Sequence, residues 1–596
     1  MCGIWGLLSL KPIKLNHSIL FDRFNRIKSR GPDRSVFITN SNYFIGFHRL
    51  AIMDTSIQGD QPFSHSYYYT NDMAENIFRT VYVICNGEIY NYKEIKSGQE
   101  IQQINEQVGY KFRSGSDCEV LLPLYLSEKS SDMKIGLTNM INKLNGEFAF
   151  AIFDIELNNT TGQTKYSLWT GRDRFGIRPL FYTQLDDYTI GFGSEVKSLM
   201  KLSGSNSSNK VEVHDPRAWM CWSGYSDSEQ PIEKNYKLYY AVGNLPMVLK
   251  PDLDDVYRVI RTGLTNAVKS RLESDREIGC LLSGGLDSSL VSAIAAKELS
   301  FQGKKLRTFS IGMKDSPDVI HAKLVADHIG SIHTNIEIPE SEWIKAIEKV
   351  VQITETFDIT TIRATTGQYL ISKWISENTD IKVLLIGDGS DELTGGYLYF
   401  HRAPNPHEFH FECVRLLHYI HYFDVLRADR GIASNGLEAR VPFLDHNFVD
   451  LYARIDLYLK MPTAHTLNDK TCKYEKYLLR KSFDKTDLLP KSVLWRKKEA
   501  FSDGVSSESK SWYQIIQDQV ELTISDEYFS NANKKYEGFL VPHTKEALYY
   551  HEIFDKYYPE QNHLCPYYWL PKWIENATDP SARTLSVYKE VESNIN

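Results

Sequence analysis

The chain opens Met1-Cys2-Gly3-Ile4-Trp5-Gly6, so removal of the initiator methionine leaves a cysteine at the N-terminus. Such a residue carries a thiol and a free α-amine, whose ordinary pKa values are about 8.5 and roughly 7.7–8.0. A proton can pass between them near neutral pH without a histidine, which suits acyl transfer through a thioester. A cysteine at position 2 is equally compatible with a structural role, so its surroundings must decide. Attack on an amide calls for donors to the oxyanion and counter-charges for the substrate's ends. In Arg49-Leu50-Ala51-Ile52-Met53 a guanidinium is suited to a carboxylate. Asn86-Gly87-Glu88 offers an amide, a backbone N–H and a carboxylate, and Ser114-Gly115-Ser116-Asp117 a second carboxylate. One cation with two anions matches an α-amino acid. Each also has a local explanation: Asn-Gly as a turn, Arg49 as a surface ion pair, Asp117 as the N-cap of a helix over 118–125.

A second set lies farther on. Ser283-Gly284-Gly285-Leu286-Asp287-Ser288-Ser289 follows an apolar run over 278–282 and opens a helical pattern. Glycines let backbone N–H groups and a helix N-terminus close around an anion. No GK[ST] follows, so the loop is not built for γ-phosphate transfer by a P-loop. Another apolar run, 382–386, leads into Gly387-Asp388-Gly389-Ser390-Asp391-Glu392. Carboxylates at the end of a parallel strand stand where α/β sheets bind ligands. Asp287 and Asp391 have the chemistry to share Mg²⁺ with phosphates, since Mg²⁺ needs only one or two carboxylates. The local alternatives are a tight strand-to-helix turn and a solvated acidic loop.

The elements that must position these groups divide by texture. Short apolar segments such as 81–85, 147–154 and 167–170 predict a strand-rich first domain. A polar stretch over 203–210 reads as a linker. Beyond about residue 250, apolar strands at 277–282, 306–311 and 382–386 alternate with helical patterns, predicting a parallel sheet with crossovers. The segment after 409 reads as helical. With 68 basic and 76 acidic residues the net charge is -8, which argues against a nucleic-acid binder. No run approaches the ~18–20 apolar residues of a membrane span, and no signal peptide is legible. The eight cysteines, dispersed without CxxC pairs, read as reduced thiols, neither a disulfide frame nor a zinc site. The expectation is a cytoplasmic enzyme without nucleic-acid or membrane partners.

Taken together, the first set resembles the class II (N-terminal nucleophile) glutamine amidotransferases over about residues 2–200. Arg30-Gly31-Pro32-Asp33, Asn86 to Asn91, Gly146-Glu147-Phe148-Ala149-Phe150 and Gly171-Arg172-Asp173-Arg174-Phe175-Gly176 stand in that family's order. The resemblance implies an αββα sandwich of antiparallel sheets, with Cys2 as nucleophile and Asn86 and Gly87 as the oxyanion hole. It gives glutamine binding to Arg49, Leu50, Ala51, Ile52, Met53, Asn86, Gly87, Glu88 and Asp117. SGGLDSS is similar to the pyrophosphate loop of enzymes that split ATP between the α and β phosphates.

Residues 250–580 resemble glutamine-dependent asparagine synthetases, nearest the eukaryotic type, through FDITTIRAT (357–365), LRADRGIASNGLEARVPFLDH (426–446) and WRKKEAFSDG (495–504). That likeness implies a parallel-sheet α/β ATP-pyrophosphatase domain with a helical C-terminal part. It assigns ATP to Leu281, Ser283, Gly284, Gly285, Asp287, Ser288, Ile311, Gly387 and Asp388, and Mg²⁺ to Asp287 and Asp391. Aspartate or its adenylate falls to Thr360, Arg363, Asp388 and Lys498. The implied whole is a ligase with domains at 2–210 and 211–596, acting on glutamine, aspartate and ATP, and a homodimer. Ammonia would cross between domains in neutral form, with Arg440 and 441–444 ordering its route. The weighed alternatives are a β-lactam-forming relative and a silent glutamine or nucleotide sensor. The family's usual Gly-Glu-Gly-Ser-Asp-Glu is Gly-Asp-Gly-Ser-Asp-Glu here. Asp388 is therefore one methylene short, and a misplacement of about 1 Å can cost ~10²-fold in rate. Residues 64–79 look like added length without a role.

Overall fold

Every residue of Gly3–Ser9 (β1) is buried, which a strand achieves only when both faces of its sheet are covered. The computed structural model describes the chain except residues 72, 129–132, 204–208, 227, 244–251, 468–469, 472–473, 508, 587 and 589–596. It divides into two units, Met1–Ala241 and Val242–Asn596.

The first unit holds two antiparallel sheets. Its strands are β1, Arg34–Thr39 (β2), Tyr43–Arg49 (β3), Phe63–Thr70 (β4), Asn76–Ile89 (β5), Gly146–Asn158 (β6), Thr164–Arg172 (β7), Phe181–Gln184 (β8), Thr189–Gly193 (β9), Glu212–Val213 (β10), Ala218–Tyr225 (β11) and Glu233–Leu238 (β12). One sheet runs β10-β8-β9-β1-β3-β2 and the other β12-β11-β7-β6-β5-β4. Their inner faces meet in one apolar cluster with Ile4, Ile45, Phe192, Ile84, Phe153 and Trp222. The helices Gln99–Val108 and Leu121–Ser127 cover the outer face of the second sheet through Ile104, Leu122 and Leu124. Phe24 of the helix His17–Asn25 stacks on His48 of the first sheet and packs at a tilt against Phe37. The expected αββα sandwich is thus present.

Two expectations are revised. The first unit does not stop at residue 210: β11 pairs with β7 from Trp219↔Gly171 to Tyr225↔Lys165, and β12 pairs with β11. Most of the expected linker, 204–208, lies outside the described residues. The added length over 64–79 is a hairpin of β4 and the first half of β5, in register from Phe63↔Val83 to Thr70↔Asn76. Alternate residues of β4 point inward, where Tyr69 bonds Glu156 at 2.7 Å and Arg79 pairs with Asp154 at 2.6 Å.

The second unit is built on a five-stranded sheet. Its strands Ile278–Leu281 (β13), Arg307–Gly312 (β14), Ile332–Glu337 (β15), Val383–Leu385 (β16) and Glu438–Arg440 (β17) run β15-β14-β13-β16-β17, parallel throughout. Helices cross between the strands, among them Leu286–Ser300 and Ile359–Asn378. Arg440 is fully buried, with Glu438 at 2.8 Å and the carbonyls of Arg271 and Glu273 at 2.9 and 2.6 Å. It ties the β17 edge to the loop before β13. The described cysteines are free thiols, and Cys472 lies outside the described residues. Among the described residues no helix is long and apolar enough to cross a membrane.

Candidate active sites

In the first unit, β1 delivers Cys2 and β5 delivers Asn86, Gly87 and Glu88. Arg30 donates to the Cys2 carbonyl at 3.0 Å and pairs with Glu195 at 2.8 Å, both side chains buried. The Cys2 thiol donates to the Leu50 carbonyl at 3.6 Å, so the nucleophile candidate touches the Leu50 to Met53 loop. That loop is buried, and Asp33 accepts its Ala51 N–H at 2.8 Å. Arg30 and Asp33, both within the RGPD string, thus hold Cys2 and the loop it touches, roles that the string alone does not reveal.

Asn86 is fully buried, and neither its Oδ1 nor its Nδ2 finds a hydrogen-bond partner among the described residues. Buried amides in folded proteins are nearly always paired, so this one is shaped for a ligand. Gly87 has φ of +149°, and a Cβ there would lie 2.0 Å from the Glu147 carbonyl oxygen. Only glycine fits, and its backbone stands beside the Asn86 amide. The Asn-Gly pair is therefore no turn; it lies within a ladder in which Asn86 faces Ala149 and Gly87 faces Phe148.

Asp117 does not cap a helix. Ser116 stands at the N-cap position of the short Asp117–Val120 turn, and Asp117 accepts the Ile89 N–H at 2.6 Å. It fixes the end of β5 next to the buried Glu88. Arg49 is not on the surface either. Arg49 is 3% exposed, and its guanidinium donates to Asp60 at 2.6 Å and to the carbonyls of Ser56 at 2.6 Å, Met53 at 3.3 Å and Asp54. Arg49 thus braces the loop that faces Cys2.

The second unit has a cavity at the C-terminal ends of β13, β14 and β16. Leu281, Ser283, Gly285, Asp287, Ser288, Ile311, Thr360, Arg363, Gly387, Asp388, Asp391 and Lys498 all line it. Gly284 does not: at φ +74° it turns against His321 and Ala322, where a Cβ would meet the Ala322 nitrogen at 2.4 Å. It makes the bend; its neighbours Ser283 and Gly285 line the cavity. Gly387 comes so near the start of the helix Leu286–Ser300 that a Cβ would meet the Ser288 nitrogen at 2.8 Å. The two ligand loops therefore pack backbone to backbone.

Charge is arranged unevenly around this cavity. Lys476 places its ammonium 2.6 Å from Asp287 and 2.5 Å from Asp391, while Lys498 lies 2.6 Å from Asp391. Burial opposes ionisation of Asp391, but the two ammonium groups outweigh it and hold the carboxyl below the usual range. Burial likewise works against the charge on Lys498, and Asp391 and Asp287 more than compensate. Lys476 was not anticipated. Nothing in its local sequence signals the role, because Asp287 is 189 residues away.

Asp388 accepts from Arg427 Nε and Nη2 at 3.2 and 3.1 Å. Burial raises its pKa and Arg427 pulls it back. Arg427 also pairs with Asp424 at 2.6 Å, and it lies in the LRADR string. Thr360 carries a buried Oγ1 without a partner among the described residues. Arg363 differs from expectation. Glu546 engages it at 2.8 and 2.6 Å and Asp579 at 3.0 and 2.8 Å, two complete forks. Its edges are spent on holding the C-terminal segment, so a substrate carboxylate finds no free fork there.

Asp287 and Asp391 already converge on one cationic point, the Lys476 ammonium, and both offer hard oxygen donors. Among the described residues no cluster of three or more ligating side chains occurs. Two carboxylates completed by phosphate oxygens and water are what Mg²⁺ uses, so the residues fit that ion.

Residues 1–238 match the glutamine amidotransferase domain family, and residues 259–408 and 402–578 match the asparagine synthase family. The chain is 42% identical over 607 aligned positions to the glutamine-hydrolysing asparagine synthetase of Gallus gallus, covering 99% of each. To that of Homo sapiens it is 40% identical over 604 positions, again covering 99% of each. A solved structure of an allosteric regulatory enzyme of purine biosynthesis overlaps at 14% identity and TM-score 0.30, over 56% of this chain and 80% of that one.

Proposed function

We propose how the labour is divided in this chain, which belongs to the family of glutamine-hydrolysing asparagine synthetases. The protein is an ATP-dependent carbon–nitrogen ligase that forms asparagine with glutamine as amide donor. The first unit, Met1–Ala241, is the glutaminase and the second, Val242–Asn596, the synthetase.

Once Met1 is removed, the Cys2 amine takes the thiol proton and the thiolate attacks the glutamine side-chain carbonyl. The Asn86 amide and the Gly87 N–H receive the oxyanion, a use supported by the buried amide's lack of partners among the described residues. Ammonia leaves, and water hydrolyses the thioester to glutamate. Glu88 takes the substrate ammonium. Arg49 takes the carboxylate by exchanging its Asp60 contact, and it orders Leu50 to Met53. Asp117 acts through β5.

In the second unit the aspartate β-carboxylate attacks the α-phosphorus of ATP, and pyrophosphate leaves. A carboxylate is a poor electrophile, and the resulting acyl-adenylate supplies the leaving group. Ser283, Gly285 and Ser288 face the phosphates, Lys498 and Lys476 neutralise them, Leu281, Ile311 and Gly387 hold the adenosine, and Thr360 takes the aspartate. Asp287 and Asp391 would hold Mg²⁺, which neutralises phosphate charge when bound. Arg363 positions the wall by fixing Glu546 and Asp579. Ammonia then attacks the acyl carbon, giving asparagine and AMP. The family resemblance extends the reading to a cytoplasmic homodimer, which light scattering on the purified protein tests.

The observation that carries this reading is that one chain holds a cysteine at position 2, a buried Asn86 amide without partners among the described residues, and a glycine-rich loop whose Asp287 meets one of two lysines that converge on Asp391. The test is incubation with Mg-ATP, aspartate and either glutamine or ammonium. Both should yield asparagine, and Cys2→Ala should lose only the glutamine-supported reaction. Glutamine-supported synthesis by that variant would sink the nucleophile assignment.

A further inference from the structure

Besides its cations, the synthetase cavity holds two acceptor atoms, on Gln368 and Asp388, that receive no hydrogen bond from the described residues. Gln368 is 5% exposed and lines the cavity. It lies two turns after Thr360 on the helix Ile359–Asn378, with Ala364 between them, so all three share one face. Its Nε2 lies 3.5 Å from Asp388 Oδ1, and its Oε1 finds no donor among the described residues. Turning the amide over would set oxygen against carboxylate, so this orientation is fixed by its neighbour. Asp388, only partly buried, adds a second acceptor. Gln368 and both Arg427 nitrogens all meet Oδ1, and none of the described residues donates to Oδ2.

A buried acceptor without a donor persists where a ligand supplies one. Phosphates and ionised carboxylates are themselves acceptors, so the group that fits must donate, through N–H or O–H. In the reaction proposed above, on which this inference rests, the donor that appears at the reacting carbon is ammonia. We propose that Gln368 Oε1 and Asp388 Oδ2 together form the seat that receives ammonia as it attacks the acyl-adenylate. The nitrogen lone pair bonds to the acyl carbon and the carbonyl π pair moves to oxygen, leaving a cationic nitrogen with three N–H bonds. Oδ2 takes one proton and Oε1 accepts a second N–H. The carbonyl re-forms as the C–O bond to AMP breaks with its electron pair, and Asp388 passes its proton to solvent. Gln368 also explains how the shortened Asp388 is held: an amide donor and a guanidinium anchor one oxygen and leave the other facing the cavity.

The test uses the full-length protein with Gln368→Leu and, as a second variant of different shape, Gln368→Met. Asparagine formation is measured against ammonium concentration, and aspartate-dependent exchange of pyrophosphate into ATP is measured alongside. Loss of one neutral hydrogen bond should lower kcat/KM for ammonium about two- to twelvefold in both variants, with exchange falling far less. Unchanged ammonium kinetics overturn the seat. Exchange falling as steeply as amide formation also overturns it, and the substrate whose KM rises identifies the donor as the aspartate ammonium or an adenosine group. If the unsubstituted protein shows no aspartate-dependent exchange, the synthetase reading fails before Gln368 is at issue.

Discussion

Asn86→Leu separates stability from catalysis in the glutaminase unit. Asn86 is fully buried and both polar atoms of its amide lack partners among the described residues. An unsatisfied buried donor or acceptor costs about 1–3 kcal/mol. Leucine has nearly the same shape and nothing to satisfy, while the β5 ladder to Ala149 is carried by backbone and survives. The substitution should therefore stabilise the unit by about 2 kcal/mol. For a domain of this size 1 kcal/mol moves Tm by roughly 2–4 °C, so a rise of about 4–8 °C is expected. Glutamine hydrolysis should fall about 10²–10³-fold, the usual loss for one oxyanion donor. Ammonium-supported synthesis should remain. Calorimetry of the first unfolding transition and a glutamate-release assay read the two effects. A protein that loses stability, or keeps glutaminase within a few-fold, would refute the reasoning, because its Asn86 amide must then already be satisfied or idle.

Two further outcomes follow from buried charge. Lys476→Met leaves Asp287 and Asp391 facing each other without the ammonium they share. The protein should lose on the order of 3 kcal/mol without divalent cation, and Mg²⁺ should raise its melting temperature more than that of the unsubstituted protein; equal Mg²⁺ shifts would contradict the shared cation point. Asp503 is pushed up to about 6 by burial despite the Ser581 hydroxyl 2.8 Å away. Its folded form holds a proton that the unfolded chain releases above about pH 4, so its contribution is most favourable below that pH and is lost as pH rises through 6. Relative to the unsubstituted protein, Asp503→Asn should gain about 2–3 kcal/mol between pH 4 and 6, and a flat difference in denaturant midpoints across that range would contradict it.

Local strings announced much of both sites. SGGLDSS needs its glycines in sequence, and the bend at Gly284 and the close approach at Gly387 follow from residue type alone. Groups that act across the chain were not legible. Lys476 meets Asp287 over 189 residues, and Arg363 meets Glu546 and Asp579 over 183 and 216. An arginine with two long-range forks looks identical, in sequence, to one awaiting a substrate. The local alternative for Asp117, a helix cap, fails for a related reason: a carboxylate before a helical turn satisfies the capping rule, but the end of β5 brings the Ile89 N–H to it. The 64–79 hairpin did carry a signal, since the run Ser66-Tyr67-Tyr68-Tyr69-Thr70 has strong strand propensity. Asp388 looked merely short in sequence. In the fold, Arg427 and Gln368 reach it.

The pairing of β11 on β7 also bears on how the two halves of this chain can be exchanged. A break at residue 210 would strip the edge of β7 of its hydrogen-bonding partner along seven registered positions, from Gly171 to Lys165. It would also remove Trp219 and Trp222, both fully buried. The exposed edge would be a template for pairing with another chain. Recombination that moves the glutaminase intact onto a different synthetase must therefore cut after β12, close to Ala241. The separable module is longer than its catalytic residues alone suggest.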